Sequence, residues 1–351
     1  MPTGRYLRGG ARCVASVDGA IPERAAYVKP RHVVMLTLMS GIWGASYLLI
    51  KYALRDLPEP AIVFGRTALA TVALLVLIGV QGGATVTALR DVCRRPGQAF
   101  LLGLTAIGAP FLLITYGERT VPSGLTAVLI ASAPIFIAIF APFLDRSEIM
   151  SGAQWVGLSV GLVGVGLLVG VEQIGSPGQF LGALAMIAAA ASYGVSGFIL
   201  KRNFAGLPPV VTTVVSTGTS AVIVLPLAVA QPPTHLPGGL AIFAVIVLGL
   251  IGTAYAFVIY YQLIAEIGFG RASVVAYTIP PVALVYGAVL LDERITPATV
   301  AGMGLILVGV YLIARGRRAR IVVAEAPAEP IAAQRVSDER CGTPERRPRG
   351  R

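Results

Sequence analysis

Apolar residues in this chain arrive in blocks of about twenty, separated by short polar links. Ten blocks can be marked, at 33–53, 60–80, 98–116, 122–144, 152–171, 179–200, 209–230, 239–263, 271–291 and 297–315. A bilayer core about 30 Å thick needs roughly 20 apolar residues per helix. Inside it, backbone polar groups are satisfied only in helices or closed barrels. The blocks do not alternate with period two, which argues against barrel strands. Links such as Arg55-Asp56-Leu57-Pro58-Glu59 and Gln231-Pro232-Pro233-Thr234 are short and polar. The pattern predicts an all-α polytopic membrane protein with ten transmembrane helices.

Composition agrees. Of 351 residues, 56% are hydrophobic and only 13% charged, against about 25% charged in an ordinary soluble domain. Cys13, Cys93 and Cys341 are scattered, with no metal spacing and no even disulfide framework. The net charge of +11 invites a nucleic-acid reading, but cytoplasmic loops of membrane proteins collect Lys and Arg. With the N-terminus inside, the loops hold seven basic residues on the inner side and four on the outer. Both termini are therefore expected in the cytoplasm, with lipid rather than nucleic acid as the partner. Residues 1–32 form a basic N-tail, not a cleavable signal peptide. Residues 316–351, rich in Arg, Pro, Ala and Glu, are expected to be disordered.

The second half of the chain repeats the first at offsets near 146 to 150 residues. Trp43-Gly44 and Lys51 answer to Tyr193-Gly194 and Lys201, and Ser132-Ala133-Pro134 to Thr278-Ile279-Pro280. Gly124 answers to Gly270, Tyr116 to Tyr261, and Arg146-Ser147-Glu148 to Asp292-Glu293-Arg294. This divides the chain into repeats at 33–171 and 179–315, each of five spans. An odd number of spans forces the copies into opposite orientations, the inverted-repeat plan of carriers whose substrate site lies near the midplane.

The chain resembles the drug/metabolite transporter superfamily, in particular the ten-helix EamA-type exporters. The resemblance rests on Trp43-Gly44-Ala45-Ser46, Phe64-Gly65-Arg66, and Tyr116 through Ser123-Gly124-Leu125-Thr126-Ala127. It extends to Pro134 with Asp145-Arg146-Ser147-Glu148, and to Pro280 with Leu291-Asp292-Glu293-Arg294-Ile295-Thr296. It covers about 33–315, although the first copy departs from the family's usual Gly-Glu-Arg-Leu-Thr ending. The resemblance implies export of amino acids or other small metabolites from the inner membrane, in a superfamily that also has drug and sugar carriers.

Several side chains are candidates for lining a substrate path. Pro134 and Pro280 lie within their spans, where proline frees a carbonyl one turn back and kinks the helix. Ser132 and Thr278 add hydroxyls beside them. Trp43, Tyr47 and Lys51 share one helix face at i, i+4, i+8, and Tyr193, Gly197 and Lys201 repeat it. Tyr277 and Tyr116 are further candidates, though tyrosines at span ends, including Tyr47, Tyr116, Tyr260 and Tyr261, also serve as interfacial anchors. Arg66 is the one charge well inside a block. It either snorkels to the headgroups or makes a cavity attractive to carboxylates, paired with Glu118.

All seventeen acidic residues fall in tails, loops or span ends. Ion-coupled carriers commonly use buried carboxylates, so this distribution favours facilitated diffusion, exchange, or coupling through an end-of-span acid such as Glu118. No cofactor or metal site is expected. A membrane-embedded enzyme would need a reactive constellation inside the spans, whereas His32 and His235 sit at span boundaries. Glycines such as Gly157, Gly161, Gly302 and Gly309 suit close helix packing and leave a homodimer open.

Overall fold

A computed structural model of the chain describes residues 29–144, 152–172, 177–267, 272 and 275–325. Every element among them is helical. Helix α1 spans Pro30–Ala53, α2 Glu59–Gln81, α3 Gly83–Cys93, α4 Pro96–Gly103, α5 Ala109–Gly117, α6 Ser123–Ile130 and α7 Ala133–Leu144. They are followed by α8 Gly152–Glu172, α9 Pro177–Asn203, α10 Pro209–Ala230, α11 Gly239–Gly249, α12 Ala256–Ile267, α13 Val275–Leu290 and α14 Pro297–Glu325. Among the described residues, seven helical stretches are long and apolar enough to cross a bilayer, and Gly152–Leu168, Val275–Leu290 and Pro297–Ile313 are shorter apolar ones. This is a multi-pass membrane protein.

Prolines open many of these helices, among them Pro30, Pro96, Pro209 and Pro297. In a first turn the missing N–H would have no intrahelical partner anyway. Pro134 also stands in a first turn, and the Ser123–Leu144 stretch breaks just before it. α6 ends at Ile130, the chain turns at Ala131-Ser132, and Pro134 falls in the first turn of α7. Pro280 and Pro281 do lie inside a continuous helix, α13.

Two spans share another irregularity. A π-helical turn over Leu104–Gly108 joins α4 to α5, and a second over Leu250–Tyr255 joins α11 to α12. Leu104 and Leu250, which open them, are 146 residues apart. Pro110 accounts for the first, because its ring clashes with the carbonyl four residues back. In the second, the Thr253 hydroxyl takes the Leu248 carbonyl at 2.7 Å, drawing it away from the regular ladder.

Contacts between distant residues define the two ends of the bundle. At one end Lys51 meets the Glu118–Val121 segment, Asp56 accepts from the Gly238 N–H at 2.8 Å, Arg119 pairs with Glu59 at 2.8 Å, and Thr120 donates to the Gly178 carbonyl at 3.0 Å. At the other, Arg31 and His32 reach Glu266 at 2.8 and 2.9 Å. Helix α9 therefore begins where α1 finishes, and the two run in opposite directions. Helix α1 packs against α11, α12 and α13, while α9 packs against α5, α6 and α7. The buried apolar residues form two clusters, and Trp43 and Tyr260 pack against both.

Helices α8 and α14 pack backbone to backbone. A Cβ on Gly309 would stand 2.6 Å from the Gly157 carbonyl oxygen and from the Gly161 nitrogen, and one on Gly164 would stand 2.9 Å from the Gly302 oxygen. These glycines are spent inside one chain, so their spacing no longer argues for a homodimer. The 81–97 link contains a helix, α3, whose Val92 is buried. Helix α14 also runs past 315 to Glu325, because Ala, Arg and Glu are good helix formers and no proline intervenes before Pro327. The Asp145-Arg146-Ser147-Glu148 and Gly270 matches, the tail to residue 28 and the tail after 325 lie outside the described residues.

Candidate functional site

A cavity of about 160 Å³ lies between the two clusters, lined from α1, α2, the α4–α5 and α11–α12 spans, α6, α7, α9 and α13. Its wall is mostly apolar and aromatic. Of the ten candidates, Trp43, Tyr47, Arg66, Pro134 and Tyr193 line it. Trp43 and Tyr47 line the cavity from α1 and Tyr193 and Gly197 from α9, while Lys51 and Lys201, the third members of those two faces, are not in its lining.

The other five candidates lie elsewhere. Tyr116 is 46% exposed on the outer surface. The Ser132 hydroxyl donates to the Leu129 carbonyl at 2.6 Å. Thr278 is exposed, bonds the Val275 carbonyl at 3.0 Å and meets Ser40. Tyr277 turns to the Val310 carbonyl at 3.5 Å. Pro280 is buried in packing, and its neighbours Val275, Ala276 and Ile279 line the cavity instead.

Arg66 is 3% exposed, so it does not snorkel to the surface. Its Nε donates to the Thr253 hydroxyl at 3.1 Å, and its guanidinium carbon stands 3.9 Å above the Phe111 ring. Both partners come from spans with π turns. Thr253 can hold Arg66 because its hydroxyl hydrogen is already given to Leu248, leaving a lone pair facing α2. The Trp43 indole N–H is fixed on the Gly252 carbonyl at 3.2 Å, and its ring meets Phe257 and Tyr260 edge-on at 5.4 and 5.3 Å. Such contacts hold aromatic walls in place.

The expected Arg66–Glu118 pair is not made. No ion pair joins them, and among the described residues both Glu118 carboxylate oxygens are buried without a hydrogen-bond partner. Burial pushes this carboxyl well above the usual carboxylate range, against the opposing pull of Lys51. Lys51 itself donates to the backbone carbonyls of Glu118 and Val121. Arg66 is thus the only formal charge in the cavity lining among the described residues.

Glu293 stands near Glu118. Its carboxylate accepts from the Ser123 N–H at 2.7 Å, the Ser123 hydroxyl at 2.9 Å and the Gly124 N–H at 3.0 Å. A carboxylate there satisfies orphan donors at the start of α6 and faces the positive end of its dipole. The sequence pattern gives no sign of this cap, nor of Phe111, Phe257 and Thr253 at the site. Tyr260 and Tyr261, weighed as surface anchors, are cavity residues.

The EamA-like transporter family matches residues 31–170 and again 180–315. The chain belongs to this family. An uncharacterized transporter of Archaeoglobus fulgidus is 30% identical over 81% of this chain and 99% of its own length. A probable terminal-alkyne amino-acid exporter of Streptantibioticus cattleyicolor is 29% identical over 81% of this chain and 94% of its own. A probable amino-acid metabolite efflux pump of Escherichia coli is 23% identical over 83% and 97%. One solved crystal structure superposes with a TM-score of 0.59 over 82% of this chain and 97% of its own, at 20% identity, a likeness of fold alone. Membership of a transporter family implies a small-molecule substrate carried across the bilayer.

Proposed function

We propose that this EamA-family protein exports amino acids or closely related carboxylates by alternating access between two inverted five-helix repeats, 33–171 and 179–315. The observation that carries the substrate class is Arg66, a buried guanidinium with no carboxylate partner among the described residues, in a cavity whose described lining has no acid. A fixed cation of this kind offers charge-assisted hydrogen bonds to a substrate carboxylate, and the rings of Trp43, Tyr47, Phe111, Tyr193 and Tyr260 suit an apolar side chain. The names of the two exporter relatives agree with this class. The ring-rich wall also favours a second reading, a carrier of bulky apolar drugs, for which Arg66 would be dispensable.

Support for the repeats comes from the double family match, the π turns 146 residues apart and the opposite runs of α1 and α9. On this reading α8, α13 and α14 complete ten crossings. With both termini in the cytoplasm of the cell that carries it in its inner membrane, the Glu118 end is the closed outer gate. The cavity, which reaches Leu200 and Val275, then faces inward. The test is flux. Proteoliposomes loaded with amino acids, sugars or drugs should show saturable countertransport for amino acids, and media from overproducing and deleted cells should differ in the same solutes. Saturable flux of neutral apolar drugs with none of amino acids would overturn the substrate class, and no saturable flux of any solute would overturn the carrier.

A further inference from the structure

We propose that Glu118 is a proton-binding site that latches its end of the carrier: it is a carboxylic acid when that end is closed and a carboxylate when it opens. The inference rests on the alternating-access reading and adds to it the chemistry of one gate. Three observations place the site. Glu118 is 0% exposed, and both carboxylate oxygens lack hydrogen-bond partners among the described residues. Lys51 donates to the backbone carbonyls of Glu118 and Val121 and makes no ion pair with the carboxylate. Beside it a second acid, Glu293, ties the connection before α14 to Ser123 and Gly124 at the start of α6.

A buried carboxylate without hydrogen bonds is strongly disfavoured, and such a group takes a proton instead. The surroundings divide as follows. From α1, Lys51 favours the carboxylate, and Tyr47 lies within electrostatic reach. From α2, Arg66 also favours the carboxylate, while Glu59 on that helix is engaged with Arg119. From the α13–α14 connection, Glu293 opposes it. From α9, Gly182 and Met186 pack on the adjacent Gly117 and bring no titratable group. Burial outweighs the two cations and pushes the carboxyl up, which favours the acid while this end is buried.

Opening the end admits water, and the acid releases its proton to that side, leaving a carboxylate. Closing requires the proton back from the same side. The closed form has the higher affinity for the proton, so it is favoured at low pH and loses ground as pH rises. Between the carboxyl's open-state and closed-state pKa, the ratio of open to closed forms changes about tenfold per pH unit. The neutral Glu118→Gln variant removes this dependence and keeps the end closed.

The experiment uses a full-length chain in which Cys13, Cys93 and Cys341 are replaced by Ser and Ile50 by Cys. Ile50 is 2% exposed, lines the cavity and directly precedes Lys51, which meets the Glu118–Val121 segment. A membrane-impermeant maleimide is applied from the Glu118 side at a series of pH values, and labelling rates are compared between the Glu118 and Glu118→Gln backgrounds. Their ratio cancels the thiol's own titration. We expect it to climb by up to about tenfold per pH unit, and Glu118→Asp, which keeps an acid, to retain a climb with a moved midpoint. Should the glutamine variant fail to fold, normalising instead to Arg55→Cys, exposed in the polar link after α1 at the same end, gives the same reading in the Glu118 and Glu118→Asp proteins. A flat ratio, or a climb with an unmoved midpoint in Glu118→Asp, overturns the role of Glu118 while leaving the carrier standing. No labelling of Ile50→Cys at any pH means that this end does not open, and overturns alternating access with it.

Discussion

Glu293 and Ser123 stand 170 residues apart in sequence, yet one carboxylate takes both the N–H and the hydroxyl of that serine, at 2.7 and 2.9 Å. This joins the start of α6 to the link before α14, across the halves of the chain. It also explains Gly287, where a Cβ would collide with the Glu293 carboxylate and come within 3.0 Å of the Ser123 hydroxyl.

Glu293→Gln keeps the shape of this cap and loses its charge. Hydrogen bonds to charged groups contribute roughly 1.5–3 kcal/mol, so the variant is expected to lower the melting temperature in detergent. Gly287→Ala should do the same by pushing the carboxylate away. Because both act on one contact, the double variant is expected to lose less than the sum of the singles. Full additivity in the melts would contradict a shared cap.

Arg66→Lys is not a conservative change here. The guanidinium combines a hydrogen bond to Thr253 with a stack on Phe111, and an ammonium reproduces neither the fork nor the plane. Apparent affinity for carboxylate-bearing solutes should fall about tenfold or more in Arg66→Lys and Arg66→Gln alike, equivalent to about 1.4 kcal/mol. Countertransport measured against solute concentration checks this, and unchanged affinity in both variants would rule out Arg66 as the anchor.

The chain has two tryptophans, Trp43 in the cavity wall and Trp155, 57% exposed on α8. In a Trp155→Phe protein all indole emission reports on Trp43. A transported solute is expected to change that emission saturably, with the same midpoint as its flux. Trp43→Phe keeps a ring but loses the bond to Gly252, and should weaken transport less than Trp43→Ala, which opens a void costing about 3–5 kcal/mol. Equal transport by the two variants would remove the ring from the argument.

Glycines on one helix separate by packing alone. Gly309→Ala drives a methyl into the backbone of Gly157 and Gly161, atoms that cannot rotate away, and overpacking of this kind typically costs about 1–3 kcal/mol. A methyl on Gly304 would meet nothing within 4 Å among the described residues, so Gly304→Ala should leave stability unchanged or raise it by up to about 1 kcal/mol. Thermal melts of the two variants decide between this pairing and a loose α8–α14 contact.

The cavity is partly legible from sequence. Trp43 with Tyr47, and Tyr193 with Gly197, emerge through i, i+4 spacing, which fixes a shared face whatever the tertiary context. The Ser132 and Thr278 hydroxyls mislead because, in an apolar helix, such groups bond a carbonyl of their own preceding turn, as both do. Tyr277 shares the helix that brings Val275 and Ile279 to the cavity but sits on another face. Phe111 and Phe257 carry no signal, since one more ring in an apolar block is compositionally ordinary.

Membrane insertion, the approximate spans and the family were decided by sequence alone, because the free energy of transferring some twenty residues into lipid depends on those residues and on nothing distant. The partners of Arg66, the burial of Glu118 and the cap made by Glu293 belong to the tertiary structure. Helices that are apolar all round have no stripe to show which face turns inward, and only their packing against one another sets the rotation that brings Thr253 to Arg66 and Glu293 to Ser123.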